Sequence, residues 1–160
     1  METSERQRLI DQYERGPADL EAALQEVPTE ALQWRPEPGE WSVHEIIVHC
    51  ADSETSGYTR IRMLAVEPEP LLVGYDQDEW ATAFAYHARS IDDSLAVVKA
   101  VRHHTATLIR TFPDAWWDHR GRHTESGVYT SEDWLRTYGV HLSDHADQIR
   151  RNVAAWNAQH

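Results

Sequence analysis

Three histidines stand at positions from which their imidazoles can share one ion. His141 and His145 are four residues apart in a stretch whose apolar residues recur at helical spacing, so both side chains project from one face of a helix. His49 follows Ile46 in an earlier stretch of the same kind and is predicted to face the same interior. Buried imidazoles need partners for their ring nitrogens, and a divalent cation satisfies three at once. The spacing therefore predicts a metal site at His49, His141 and His145. The competing interpretation is three ordinary core histidines.

Three neutral imidazoles leave the full positive charge on the ion, which favours activation of a bound water near neutral pH. This donor set does not choose between zinc and nickel. Spacing also places polar side chains near the predicted ligands, where they are candidates to hydrogen-bond them. They are Glu45 and Asp52 near His49, and Asp144 and Gln148 near the other two histidines.

The other histidines and the cysteine give weaker evidence for a metal site. The pair His44-Glu45 followed by His49 is similar to a zinc-protease motif, but its two histidines are five residues apart, about 140° around a helix, and cannot chelate one ion. His119 and His123 flank Gly121 and are expected in a solvent-exposed loop. Cys50 points away from His49 and is interpreted as a small core residue.

Four stretches with helical periodicity must position these residues. The first runs from Ile10 to Val27, and Pro17 within it is expected to kink the helix or split it in two. A polar stretch rich in proline separates it from the second, which opens at a capping box formed by Ser42 and Glu45.

The third helix is predicted over residues 90–112, with Ser90 as its cap and Pro113 as its stop, and the last begins at Thr130. Residues 114–129 are expected to be irregular, and no run of alternating residues predicts a strand. Four amphipathic helices favour an all-α four-helix bundle, because each apolar stripe needs a partner. We expect one domain over residues 1–160.

Composition limits the partners. The 160 residues carry 15 Lys and Arg against 27 Asp and Glu, a net charge of −12, which argues against binding to nucleic acid. No apolar stretch approaches the length needed to span a membrane, and the first residues do not resemble an export signal. The single cysteine fits a reducing compartment, so a cytoplasmic protein is expected.

Two segments resemble parts of the DinB superfamily, and especially of its YfiT-like branch. They are WSVHEIIVH over residues 41–49 and HLSDHADQI over residues 141–149. Supporting matches are residues 51–53, 58–60, 74–76 and 79–80. The resemblance extends from about residue 5 to residue 157.

This resemblance implies a four-helix bundle in which His49, His141 and His145 coordinate a divalent metal, commonly zinc or nickel. It implies hydrolysis, or transfer or isomerisation dependent on a low-molecular-weight thiol, with a small molecule as substrate. Glu54 stands where relatives often carry histidine, and this difference is expected to alter the pocket wall without touching the three ligands.

We therefore predict a metal-dependent enzyme acting on small molecules, either a hydrolase or a thiol S-transferase. The alternative is a metal-binding stress protein or structural dimer without turnover. Tyr58 and Arg60 are candidates to orient a substrate carboxylate, and for Arg60 the alternative is a surface or interface charge. Seven tryptophans favour a homodimer formed through helix faces, and the alternative places Trp34, Trp116 and Trp117 in the pocket or the core.

Overall fold

Four long helices and one short helix make up most of the protein. The computed structural model describes residues 1–159. In chain order, the helices are α1 (Thr3–Gln25), α2 (Val43–Val66), α3 (Gln77–Ala83), α4 (Ile91–Ile109) and α5 (Ser131–Gln159). The long helices α1, α2, α4 and α5 correspond to the four predicted amphipathic stretches and pack against one another as a bundle. The predicted mostly helical class is confirmed.

Side-chain caps fix where three of the four long helices begin. Ser42 Oγ accepts a hydrogen bond from the Glu45 backbone N–H, and the Glu45 carboxylate accepts one from the Ser42 backbone N–H, as a capping box requires. Ser90 caps α4 through the Asp93 N–H. Thr130 bonds the Asp133 N–H ahead of α5. The sequence predicted where these helices begin, because a cap joins residues only three positions apart in the chain.

The prediction that Pro17 kinks or splits the first helix was wrong about the split, because α1 is continuous through it. Proline has no N–H and leaves the carbonyl four residues earlier without its helical donor. That carbonyl belongs to Tyr13, and it accepts a hydrogen bond of 2.8 Å from Nη1 of Arg102 in α4. A side chain from another helix therefore replaces the bond that proline removes.

A small three-stranded sheet corrects the expectation of no strands. It consists of β1 (Leu71–Leu72), β2 (Arg120–His123) and β3 (Gly127–Thr130), in that order. β1 pairs with β2 in parallel, and β2 pairs with β3 antiparallel. Strands of two to four residues are too short to show alternation, and the β1–β2 pairing joins distant parts of the chain.

The predicted exposed loop position needs correction for His123, whereas His119 is exposed as expected. His123 lies in β2 and is buried, and its Nδ1 accepts a hydrogen bond from the Glu125 backbone N–H. His119 immediately precedes β2, and its Nδ1 lies 3.2 Å from the Ala65 carbonyl oxygen. Cys50 is fully buried, as expected.

The bundle interior contains two large apolar clusters. One includes Tyr13, Ile61 and Trp134 and lies toward the small sheet. The other includes Cys50 and Leu142. Along α2 and α4, buried polar residues separate the two clusters, and the site described next lies at that level.

Candidate metal centre

The first half of α2 is buried on all sides. His49, which lies in this half, is therefore only 1% exposed. A short 3₁₀ turn at Tyr86–Ala88 covers this part of the helix. The Tyr86 hydroxyl donates to the Asp52 carboxylate at 2.6 Å, and His44 Nε2 lies 2.8 Å from the Arg89 carbonyl oxygen. The segment after α3 thus seals α2 away from solvent.

Two hydrogen bonds hold α5 in register with α2. The Trp134 indole N–H donates to the Gly57 carbonyl, and the Asn152 amide donates to the Trp41 carbonyl, both at 2.9 Å. Gly57 lets the helices approach closely, because a Cβ at this position would lie 2.5 Å from the ring of Tyr138. This register places His141 and His145 opposite His49.

The three predicted ligands converge. One nitrogen from each of His49, His141 and His145 lies within 4.8 Å of the other two. The Nε2 atoms of His141 and His145 are 3.2 Å apart, and the His49 ring is centred 4.9 Å from that of His145. The tertiary structure therefore brings together the three residues that the spacing singled out.

Hydrogen bonds at the opposite ring nitrogens set the tautomers of His141 and His145. His141 Nδ1 lies 3.0 Å from Oε1 of Glu54, and His145 Nδ1 lies 2.9 Å from the side-chain carbonyl oxygen of Gln148. Both partners accept, so each Nδ1 donates and each Nε2 carries a lone pair when the ring is neutral. Two lone pairs at 3.2 Å repel each other unless a proton or a cation lies between them.

Burial also favours neutral rings. Burial and the two neighbouring imidazoles lower the pKa of His49 to about 2, and burial and His141 lower the pKa of His145 to about 4. The buried Nδ1 of His49 has no hydrogen-bond partner within residues 1–159. Neutral imidazoles with converging lone pairs and an unpaired buried nitrogen fit a divalent transition metal.

The structure contradicts the expectation that Glu54 leaves the ligands untouched. Glu54 is completely buried and directly contacts His141. It also accepts two hydrogen bonds from Arg102, which is itself 1% exposed. Burial by itself raises the pKa of Glu54, but the charge of Arg102 and the hydrogen bonds outweigh it and hold that pKa below its usual value. Glu54 is therefore a buried carboxylate that orients a predicted ligand.

Sequence reasoning missed Arg102. It follows Leu95 and Val98 at helical spacing on the inward face of α4, and an arginine on an apolar stripe was the available signal. Its guanidinium packs 3.8 Å from the centre of the Tyr13 ring and also donates to the Tyr13 carbonyl. Arg102 thus connects the Tyr13 carbonyl, which Pro17 leaves without a helical donor, to the carboxylate that contacts His141.

The remaining candidates have other partners. Glu45 caps α2 and pairs with Arg35, Asp52 accepts from Tyr86, and Asp144 is exposed. The Tyr58 hydroxyl lies 3.1 Å from Nδ1 of His104 on α4. Gln148 alone among the carboxylates and amides predicted from spacing lies against a ligand in the described chain.

Arg60 lies beside a cavity of about 140 Å³ that opens next to His141. Its guanidinium donates to the Tyr138 hydroxyl at 3.2 Å and to the Val73 carbonyl. Other lining residues include Ser53, Gly74, Tyr75, Gln77, Glu125 and Thr137. The cavity provides space for a small molecule beside the histidine cluster.

Fold and site together define a helical-bundle protein with a buried three-histidine centre. A family model described as the DinB superfamily matches residues 12–149 of this chain. The chain belongs to the DinB superfamily, as the resemblance of its two histidine segments implied.

The protein is similar to YfiT-like relatives over most of its length. It is 27% identical over 140 residues to a protein of Oceanobacillus iheyensis, covering 88% of this chain and 81% of that protein. It is 25% identical over 146 residues to YfiT of Bacillus subtilis, and the match covers 91% of this chain and 82% of YfiT. Each relative carries the name "Putative metal-dependent hydrolase".

The solved structure of YfiT from Bacillus subtilis, which has an unusual four-helix bundle topology, matches this chain with a TM-score of 0.91. The match covers 98% of this chain and 90% of YfiT at 23% identity. At that identity the likeness establishes the fold. Within residues 1–159, no helix is both long and apolar enough to cross a membrane.

Proposed function

We propose that this protein is a metal-dependent hydrolase of small molecules whose ion is held by His49, His141 and His145. The observation that carries the proposal is the convergence of three imidazoles, of which that of His49 is buried and those of His141 and His145 are partly buried, with the Nε2 lone pairs of the latter two facing each other. Membership of the DinB superfamily and the names of the YfiT-like relatives support it.

The chain's own residues prepare the ligands. When bound, a divalent ion would act as a Lewis acid. It would keep its full positive charge, because neutral imidazole ligands carry no negative charge to compensate that of the ion. Glu54 accepts a hydrogen bond from Nδ1–H of His141, and Gln148 accepts one from Nδ1–H of His145. Both rings are therefore held with Nε2 toward the ion. The Trp41 ring, centred 4.6 Å from that of His49, limits rotation of the third ligand.

The cavity beside His141 would hold the substrate. Arg60 supplies positive charge, and Ser53 and Thr137 supply hydroxyl groups. Transfer to a low-molecular-weight thiol stays a prediction from the family resemblance. A metal-binding role without turnover stays the alternative to both enzymatic activities. The two enzymatic activities differ in one requirement, since transfer consumes a thiol and hydrolysis does not.

The test is metal content by mass spectrometry, on protein purified without a nickel column and then incubated with zinc or nickel. We expect about one equivalent of zinc or nickel in the wild type and little in His145→Ala. His103→Ala, at an exposed histidine on α4, is the matched control and should retain the ion. Absence of metal from the wild type after incubation would overturn the proposal.

A second measurement decides the reaction. The loaded protein is assayed against small esters and amides with and without an added thiol such as cysteine. Cleavage without thiol, lost in His145→Ala, supports hydrolysis. Turnover only with thiol, accompanied by its consumption, would replace hydrolysis by S-transfer, and binding of metal without any turnover would favour the non-catalytic alternative.

A further inference from the structure

The cavity beside His141 contains one side chain of each charge. Arg60 extends from α2, and Glu125 extends from the turn between β2 and β3. Both line the same space of about 140 Å³. Because drug-sized ligands occupy roughly 300–1,000 Å³, this cavity admits only a small molecule or the end of a larger one.

The charge of Arg60 is not neutralised by the protein. Its two hydrogen-bond acceptors, the Tyr138 hydroxyl and the Val73 carbonyl, are both neutral. Within the described part of the chain, its guanidinium forms no ion pair, whereas the neighbouring buried Arg102 is fully paired with Glu54. A partly buried arginine with neutral partners retains the capacity to bind a carboxylate.

Glu125 is likewise without a cation at neutral pH. The nearest basic group is Nδ1 of His123, 4.0 Å away, which already accepts the Glu125 backbone N–H and is therefore neutral there. The Glu125 carboxylate lies over Gly74, where a Cβ would come within 2.4 Å of the carboxylate carbon. Glycine at position 74 thus makes room for this carboxylate at the cavity.

A third polar group also lies at the cavity. The buried hydroxyl of Tyr75 interacts with the Ser53 side chain but makes no hydrogen bond of good geometry within residues 1–159. The Tyr75 ring is fixed against Trp80, with ring centres 4.1 Å apart. A polar ligand in the cavity would satisfy this hydroxyl.

We propose that the cavity binds the α-amino acid end of the substrate. Arg60 binds the carboxylate, Glu125 binds the ammonium group, and the remainder of the molecule extends toward His141. Both charged groups line one small cavity, so a ligand that carries both charges on a single α-carbon can meet them together. This inference rests on the proposed function only for its claim that the bound molecule is a substrate.

The test is an NMR titration of ¹⁵N-labelled, zinc-loaded protein with three probes that share one branched carbon: alanine, isobutyrate and isopropylamine. Backbone amides of Ser53, Tyr75 and Thr137 report on the cavity. We expect alanine to shift these signals with a dissociation constant at least about tenfold lower than either singly charged probe. Equal affinity for alanine and isobutyrate, or no shift with alanine, would overturn the proposal.

Variants separate recognition by the cavity from chelation of zinc by the amino acid. Arg60→Gln and Glu125→Gln should each weaken alanine binding at least about tenfold, because each removes one charge-assisted contact. The matched controls are Arg122→Gln and Glu67→Gln, both at exposed positions outside the cavity, and they should remain within about twofold of wild type. Unchanged binding in the cavity variants would show that zinc alone holds the probe.

Gly74→Ala provides an independent variant that keeps both charges. The added methyl group shifts the exposed, flexible Glu125 side chain without removing its charge, so alanine binding should weaken, but by less than in Glu125→Gln. Metal content is measured on every variant. Metal retained without alanine binding contradicts only the present inference, whereas alanine binding by a protein that takes up no metal contradicts only the proposed function.

Discussion

Glu54 links a predicted metal ligand to the interior of the bundle. One of its oxygens faces Nδ1 of His141, and both oxygens accept from Arg102. A carboxylate on the far nitrogen of a ligating histidine fixes the ring's orientation and raises its basicity. The same carboxylate compensates a buried arginine, so one residue serves both the site and the stability of the protein.

Replacing Glu54 with glutamine tests its effect on the metal. Glu54→Gln retains an acceptor of the same shape but loses the charge, and we expect metal affinity to fall about 10- to 100-fold. Competition with a chelating dye measures the affinity of the folded protein. Asp144→Asn is the matched control, since it removes a charge at an exposed position between His141 and His145. An equal loss in both variants would contradict a specific role for Glu54.

The pair formed by Glu54 and Arg102 gives a second prediction. Arg102→Met leaves an uncompensated buried carboxylate and should lower the free energy of unfolding by about 3–5 kcal/mol. The double variant Glu54→Leu/Arg102→Met should lose much less than the sum of the two single changes, because no charge is left unpaired. Urea denaturation of the metal-free proteins measures this, and additive losses would contradict coupling.

At the scale of elements, α2 carries His49, and its first turn depends on a buried carboxylate. Glu45 is 3% exposed, completes the capping box with Ser42 and pairs with Arg35. Burial raises the pKa of Glu45, but Arg35 and the hydrogen bonds from Ser42 outweigh it and lower the pKa below its usual value. The charge of Glu45 therefore stabilises the folded state.

The lowered pKa of Glu45 predicts that the free energy of unfolding depends on pH. A depressed pKa gives stability that is complete above the unfolded value of about 4.3 and is lost as pH falls through the folded value. Glutamine retains the capping geometry, so Glu45→Gln removes the charge alone. The difference in unfolding free energy between wild type and this variant should be constant above about pH 5 and shrink below about pH 4. The exposed control Glu40→Gln should show no such change in denaturation measured across this range.

At the scale of the whole molecule, the packing of α2 against α5 decides the distance between His49 and the other two histidines. Gly57 permits this packing, because a Cβ would overlap the ring of Tyr138 at 2.5 Å. Alanine favours a helix over glycine by about 0.5–1 kcal/mol, but steric overlap in a packed interior costs about 1–3 kcal/mol.

Gly57→Ala is therefore expected to destabilise the protein and, by separating the helices, to weaken metal binding. Thermal denaturation and the chelator competition report the two effects. Ser56→Ala, on the same turn but partly exposed, should change neither substantially. Increased stability in Gly57→Ala would show that helix propensity outweighs the contact.

The homodimer stays a prediction about the whole molecule. None of the seven tryptophans is exposed, and Trp117 and Trp134 are fully buried in the core, so the tryptophan content on which it was based is accounted for within one chain. The exposed apolar side chains are aliphatic except for Phe84. Light scattering of the purified protein would measure the oligomeric state.

Local chemistry in the sequence was enough to predict the four long helices and to single out the three histidines, but not the short helix α3. Caps at Ser42, Ser90 and Thr130 act within one turn, and the pair His141 and His145 is set by helical periodicity alone. Convergence with His49 followed from the requirement that amphipathic stripes face one another. The sequence also identified Gln148 by its spacing, three residues after His145.

Apart from Gln148, only the tertiary structure decided which polar residues support the site. Glu54, Arg102 and the Tyr13 carbonyl come from three different helices, and no spacing along the chain relates them. The parallel pairing of β1 with β2 joins segments about fifty residues apart. Such contacts depend on how helices pack and on which buried charges find partners, and these are properties of the folded chain.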